Sequence, residues 1–165
     1  ELTYCYKKLM INKSPKYLRL ARGGEPDIYH REIKTDKNYI ILNKPQKINI
    51  ISSGTILGEV KKAFNNLNNK NIGLISMPII NDVTKKEIQK VISKSKLIFT
   101  FEEHSTIGGI GSFLKEIASE LSSPPRILSF GIKRQTIYEV GTQEYLRLRN
   151  KLDAKNIYKN ITKYL

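Results

Sequence analysis

The sequence is poor in the residues that staple or metallate small domains. One cysteine, Cys5, excludes a disulfide within the chain, and two histidines, His30 and His104, exclude a cysteine–histidine zinc site. Apolar runs are short. Tyr39–Leu42 and Ile48–Ile51 fall far below the roughly 20 residues that a membrane-spanning helix needs. Glu1-Leu2-Thr3 puts no apolar stretch behind a basic start, so no signal peptide is expected here, and a reducing, cytoplasmic setting is. The first residue is not Met, and the chain is expected to begin inside a longer polypeptide. Acids are scarce as well: 15 Asp and Glu face 29 Lys and Arg, a formal net charge of +14.

What remains is the composition of a folded domain. The 165 residues are 39% hydrophobic and 27% charged, enough for one core of ordinary size. The positive excess is +6 in residues 1–50, +2 in 51–120 and +6 in 121–165. It is carried by 22 Lys and only 7 Arg, beside 24 Ile and 13 Asn, the bias that an A/T-rich coding sequence produces. Readers of nucleic acid lean on Arg and interleaved aromatics. Lys scattered along the chain predicts a solvated surface, with no nucleic-acid and no membrane partner. The rival reading is a stand-alone basic module that holds an acidic partner or nucleic acid with its two ends.

Periodicity predicts the architecture. Tyr4–Met10 reads as the end of a helix and Tyr17–Ala21 as a short strand, followed by an irregular crossing over residues 24–37. Tyr39–Leu42 and Lys47–Ser52 flank Asn43-Lys44-Pro45-Gln46 as an antiparallel hairpin. Strands and helices then alternate. The strand at Ile48–Ser52 leads into a helix with Ile56, Val60, Ala63, Phe64 and Leu67 on one face. Ile72–Met77 is a strand, and Asn81 or Asp82 caps a helix over Thr84–Ser93 with Val83, Ile88, Val91 and Ile92 inward. Leu97–Phe101 is a third strand, and a helix opens after Gly108-Gly109-Ile110-Gly111. Arg126–Phe130 is a fourth strand, with helices over Thr142–Asn150 and Ala154–Tyr164. This order predicts an α/β fold: a doubly wound, mostly parallel five-stranded sheet with an antiparallel edge strand and helices on both faces.

In such sheets ligands gather at the carboxyl ends of the strands. That directs attention to Ser53-Gly54, Met77-Pro78 and Glu102 through Gly111. Glu102, Glu103 and His104 are expected at the exit of the third strand. A carboxylate beside an imidazole suits acid–base work, but neighbours on a strand point to opposite faces, so Glu102 and Glu103 do not converge. The alternative is that Glu103 or His104 bonds loop backbone and anchors an interface. Gly109-Ile110-Gly111 lacks the third glycine of a dinucleotide fingerprint, and close helix–strand packing is the simpler reason for its glycines. Arg22, beside Gly23-Gly24, is a candidate anion binder or a plain surface arginine.

Several runs resemble a known family. Ile75-Ser76-Met77-Pro78, the block from Leu97 through Glu102-Glu103-His104-Ser105 to Gly108-Gly109-Ile110-Gly111-Ser112, Gly141-Thr142-Gln143-Glu144 and Leu152–Ile157 look like the carboxyl-terminal domain of the transketolase family. Ser14–Gly23 resembles the last strand of that family's preceding pyrimidine-binding domain. The resemblance implies residues 1–30 as the end of one domain and 31–165 as the next. It implies an enzyme dependent on thiamine diphosphate and Mg²⁺ that transfers two-carbon ketol units between sugar phosphates, with the same domain of a 1-deoxyxylulose-5-phosphate synthase or a 2-oxoacid dehydrogenase beta subunit as alternatives. The Gly-Asp-Gly cofactor motif is absent from this sequence. The fragment alone is therefore expected to bind neither cofactor nor metal, to supply no catalytic residue and to be inactive. Its expected partners are the remaining domains or an N-terminal subunit, in a homodimeric enzyme. Arg22 matches the family's substrate-phosphate arginine, and Glu103 and His104 match its interface-adjacent block.

Overall fold

The computed structural model describes residues 1–11, 13–21, 27–30, 32–132 and 138–165. Five strands form one mixed sheet: β1 (Ile40–Asn43), β2 (Ile48–Ser52), β3 (Ile72–Ser76), β4 (Leu97–Ser105) and β5 (Arg126–Ile132), in the order β1-β3-β2-β4-β5. β2 pairs in parallel with β3 and β4, β4 pairs in parallel with β5, and β1 lies antiparallel on the outer side of β3. Every residue of β3 is buried, as are the last four of β2. Strands covered on both faces read as continuous apolar runs, which is how Ile-Gly-Leu-Ile-Ser and Asn-Ile-Ile-Ser look in the sequence.

Helices cover both faces. On one, α3 (Asp82–Ile92) and α4 (Ile110–Ser119) bury Ile88, Ile92, Leu114 and Ile117 against Ile51, Ile75 and Ile98. On the other, α2 (Leu57–Leu67) and α6 (Ala154–Thr162) bury Val60, Ala63, Ile157 and Ile161 against Ile50, Leu74 and Phe99. Caps set where these helices begin. The Asn81 side chain accepts from the Thr84 amide, Asp153 accepts from the amides of Lys155 and Asn156, and Thr142 starts α5 (Gln143–Arg149) by accepting from Tyr145. α2 stops at Asn68, whose left-handed φ of 45° and ψ of 33° turn the chain out of the helix. α1 (Leu2–Leu9) packs Tyr4 and Cys5 on Ile40 at the β1 edge, with Tyr29, Ile33 and Ile79 around them. Among the described residues no helix is long and apolar enough to cross a membrane.

The doubly wound sheet with its antiparallel edge agrees with expectation, and four local readings need correction. The segments flanking Lys44–Gln46 are not a hairpin, because β3 inserts between β1 and β2. The Asn49 side chain folds the loop onto itself, accepting from the Gln46 amide at 2.9 Å and donating to the Gln46 carbonyl at 2.6 Å, while Asn43 Nδ2 donates to the Ile72 carbonyl at 2.6 Å. Tyr17–Ala21 forms no strand: its residues are exposed and pair with nothing in the sheet, and five isolated residues cannot satisfy a strand's backbone. Val83 faces solvent, 54% exposed, because α3 starts at Asp82 and turns its second residue outward. β4 continues to Ser105, so Glu102, Glu103 and His104 are strand residues and do not follow the strand.

Candidate functional site at the carboxyl ends of β2 and β4

β2 is followed by a helix on one face, and β4, its neighbour, by a helix on the other. The crevice between their carboxyl ends is therefore a topological switch point, where doubly wound proteins bind ligands. Glu102 and Glu103 stand at its rim. Pleating sends them to opposite faces, and each meets a different partner.

Glu103 turns toward the α2 side and closes the crevice. Its carboxylate accepts from Arg147 Nε on α5 and from Thr55 Oγ1 in the β2–α2 turn, while Gln143 Nε2 lies 3.4 Å from both carboxylate oxygens and from Thr55 Oγ1. Arg147 is 8% exposed, an unusual depth for a guanidinium, and a paired carboxylate is what makes that depth tolerable. The ion pair, with Thr55, thus ties the carboxyl end of β4 to the β2–α2 turn and to α5.

Glu102 turns toward the α4 side and is 1% exposed. α4 has Gly109 as its N-cap and no side-chain cap of its own. Glu102 takes that role from the neighbouring strand: its Oε1 accepts from the Gly111 amide at 3.0 Å and lies 3.3 Å from Thr100 Oγ1. The negative carboxylate also complements the positive end of the helix dipole. Its Oε2 has no hydrogen-bond partner and lies 3.5 Å from His104 Nδ1. Burial holds the carboxyl above its ordinary value of 4.5, against the pull of the Gly111 amide and His104.

The glycines follow from this packing. A Cβ on Gly109 would overlap the Glu102 carboxylate, and one on Gly111 would overlap the Ser129 and Thr100 hydroxyls. Gly108, at φ +77°, supplies the left-handed turn that brings α4 back over the sheet. Helix–strand packing therefore accounts for Gly109 and Gly111, in line with the simpler of the two sequence readings.

His104 Nδ1 is 3.0 Å from the Ser105 carbonyl. The Ser105 carbonyl and Glu102 Oε2 are thus the two acceptor oxygens nearest to Nδ1. The imidazole lines a cavity of about 300 Å³ with Ile80, Ile110, Phe113, Ser112 and Glu116. Of the expected site residues, Glu103 and His104 are thus placed, on opposite faces, and Arg22 lies outside the described residues. Glu103 bonds side chains, whereas Glu102 bonds the Gly111 amide in the first turn of α4 and His104 lies against the Ser105 backbone carbonyl. Arg147 carries no signal in the sequence, where the nearby run Gly141-Thr142-Gln143-Glu144 serves only the family resemblance.

The family model of the transketolase C-terminal domain matches residues 38–157. The chain belongs to the transketolase C-terminal domain family. Over nearly its whole length this transketolase C-terminal chain is similar to the 1-deoxy-D-xylulose-5-phosphate synthase of Shewanella sediminis (strain HAW-EB3). They are 27% identical over 165 residues, covering 98% of this chain and 25% of that protein. It is also similar to one of the subunits of the apulose-4-phosphate transketolase of Actinobacillus succinogenes, 26% identical over 146 residues, covering 87% of this chain and 47% of that protein. Among solved structures, a protein described as a split gene transketolase, inactive beta4 tetramer, superposes with a TM-score of 0.81 over 96% of this chain and 52% of its own, at 22% identity. That likeness is one of fold. The chain spans about a quarter of the length of the first of these relatives.

Proposed function

We propose that this chain is the carboxyl-terminal assembly domain of a thiamine diphosphate-dependent enzyme and supplies none of its chemistry. The observation that carries the proposal is the Glu103–Arg147 pair, which engages the polar groups at the switch point with each other. Thiamine diphosphate and Mg²⁺ do not fit the residues present. Among the described residues no group of three or more His, Cys, Asp or Glu gathers to hold a metal ion, and the helix N-terminus at Gly109 already faces the Glu102 carboxylate, where a diphosphate would be repelled. The cofactor belongs to domains other than this one, in the preceding chain or in a separate subunit, and the working enzyme is a homodimer of such units.

In this reading residues 1–30 close the preceding pyrimidine-binding domain and 31–165 form the domain described above. The exposed apolar residues near the start, Leu2, Tyr6, Met10, Ile11, Tyr17 and Leu20, are then covered by that domain. Arg22 binds the phosphate of the substrate, and Glu103 and His104 stand next to the domain interface. The match along 98% of the chain to a 1-deoxy-D-xylulose-5-phosphate synthase favours formation of that product over ketol transfer between sugar phosphates.

The test reconstitutes the enzyme. The polypeptide or subunit that precedes this chain is produced with and without residues 1–165, and thiamine diphosphate-dependent formation of 1-deoxy-D-xylulose 5-phosphate is assayed beside ketol transfer. Synthase activity that requires this chain, and a raised KM with Arg22→Ala, is the expected result. Full activity without the chain would overturn the assembly role, and ketol transfer alone would overturn the synthase assignment.

A further inference from the structure

The four parallel strands all begin at the end of the sheet opposite the switch point, and the fold collects cations there. Lys47 and Lys96 immediately precede β2 and β4, with the Lys96 amide donating to the Lys47 carbonyl at 2.7 Å, and Arg126 opens β5 opposite Leu97, one residue further along, its amide donating to the Lys96 carbonyl at 3.0 Å. The Arg126 guanidinium lies 5.2 Å from the Tyr164 ring centroid and Lys163 Nζ lies 5.6 Å from it, which extends the row onto the end of α6. Lys70 precedes β3 in the register that pairs Ile72 with Ile48, and Lys44 sits in the loop before β2. All six are exposed. Among the described residues none of the six has a carboxylate within ion-pair distance. The acids are engaged elsewhere: Glu116 and Glu120 hold Lys85, Glu59 holds Lys62 and the Ala154 amide, and Asp153 caps α6.

We propose that this end of the sheet is a surface for the phosphate backbone of a nucleic acid, bound without regard to sequence. A scattered Lys excess argued against such a partner, but the fold gathers residues from all three segments of the chain into one face. Uncompensated charges at one end of the sheet repel one another, and an incoming polyanion relieves that repulsion while releasing its own counterions. Lys acts on phosphate as a point charge and asks for no base. The alternative of an acidic protein fits less well. Protein interfaces are depleted in Lys and centre on aromatic or aliphatic anchors, whereas this end offers Lys among Asn69, Asn71 and Ser123, with Tyr164 already covered by two cations. The surface also lies away from α1, whose Glu1 bonds Ser76 at the far end of β3. It is therefore independent of the docking face for the preceding domain.

The test uses the full 165-residue chain and a labelled random-sequence DNA duplex of about 20 base pairs, titrated by fluorescence anisotropy across a salt series. With four or so phosphates neutralised, log K should fall against log salt with a slope near −4. The triple reversal Lys47→Glu, Lys96→Glu and Arg126→Glu should cut that slope to about −1 and weaken binding at ~50 mM salt at least about tenfold. A control triple of equal charge change on exposed lysines elsewhere, Lys34→Glu, Lys86→Glu and Lys155→Glu, should stay within about threefold of the parent. The proposal is overturned by absence of binding at low salt, or by equal losses in the two triples. It is equally overturned by competition from polyglutamate as strong as that from unlabelled duplex, or by equally strong binding to phosphatidylserine vesicles.

Discussion

Arg147 on α5 donates from Nε to the carboxylate of Glu103 on β4, across 44 residues of sequence, and the pair closes the crevice between the carboxyl ends of β2 and β4. Thr55 completes the arrangement from the β2–α2 turn, so three segments distant in sequence are tied at one point. The arrangement holds α5 against the sheet, a service the short helix needs because its seven residues are too few to be stable alone.

Removing either partner should loosen α5. Arg147→Ala is expected to cost about 2–3 kcal/mol in urea unfolding, since it strands a carboxylate that is largely withdrawn from water. Glu103→Gln should cost less, because the amide oxygen still accepts. A double-mutant cycle should return a coupling of about 1–2 kcal/mol, and additive losses would show that the pair is not the tie.

The buried Glu102 carboxyl gives stability a pH dependence of defined sign. Burial raises its pKa above 4.5 in the folded chain, so folding favours the protonated form. The corresponding stability is present at low pH and is lost as pH rises from the unfolded-state pKa through the higher folded one. Glu102→Gln is neutral throughout and drops out of this linkage. Unfolding free energies measured from about pH 4 to pH 7 should therefore shift progressively in favour of the Gln variant. Parallel curves for the two proteins would refute the assignment.

Contact at Gly111 is tighter than a methyl group allows. Gly111→Ala should lose about 1–3 kcal/mol by overpacking against Ser129 and Thr100, despite the better helix propensity of alanine. Ser129 Oγ is buried without a partner, so Ser129→Ala should be neutral or stabilising. Combined, the second change should recover part of the loss from the first, and thermal melts of the four proteins measure it.

Cys5 reports on the docking of α1. Burial, aided by the Glu1 carboxylate, pushes its thiol up to about 11, so little thiolate exists at neutral pH. Alkylation by iodoacetamide at pH 7 should be slow in the folded chain and speed up on Tyr4→Ala. That change removes the neighbouring core residue whose hydroxyl donates to the Lys37 carbonyl. Equal rates in the two proteins would mean that α1 does not protect the thiol.

Local periodicity was sufficient for the architecture. The three- and four-residue spacing of Ile56, Val60 and Ala63, the buried run Ile72–Ser76 and the capping Asn81 each announce their elements, because these signals act within a turn or a strand length. The same block that marks the family, Glu102 through Ser112, also predicts that its two carboxylates face apart. It does not say what either one meets. The hairpin expectation around Pro45 failed for the complementary reason: strand neighbours are chosen by which edges and faces become buried, and β3 wins the place beside β1 from 29 residues away.

By itself, then, the sequence determined the alternating elements and the doubly wound sheet with an antiparallel edge through short-range patterning, and it carried the block whose resemblance marks the transketolase C-terminal family. Tertiary structure alone decided that Glu103 meets Arg147, that Glu102 caps α4 from a neighbouring strand, and that charges spread over the whole chain stand together at the start of the strands. Those outcomes depend on separations in space that only close packing of the sheet and its helices sets.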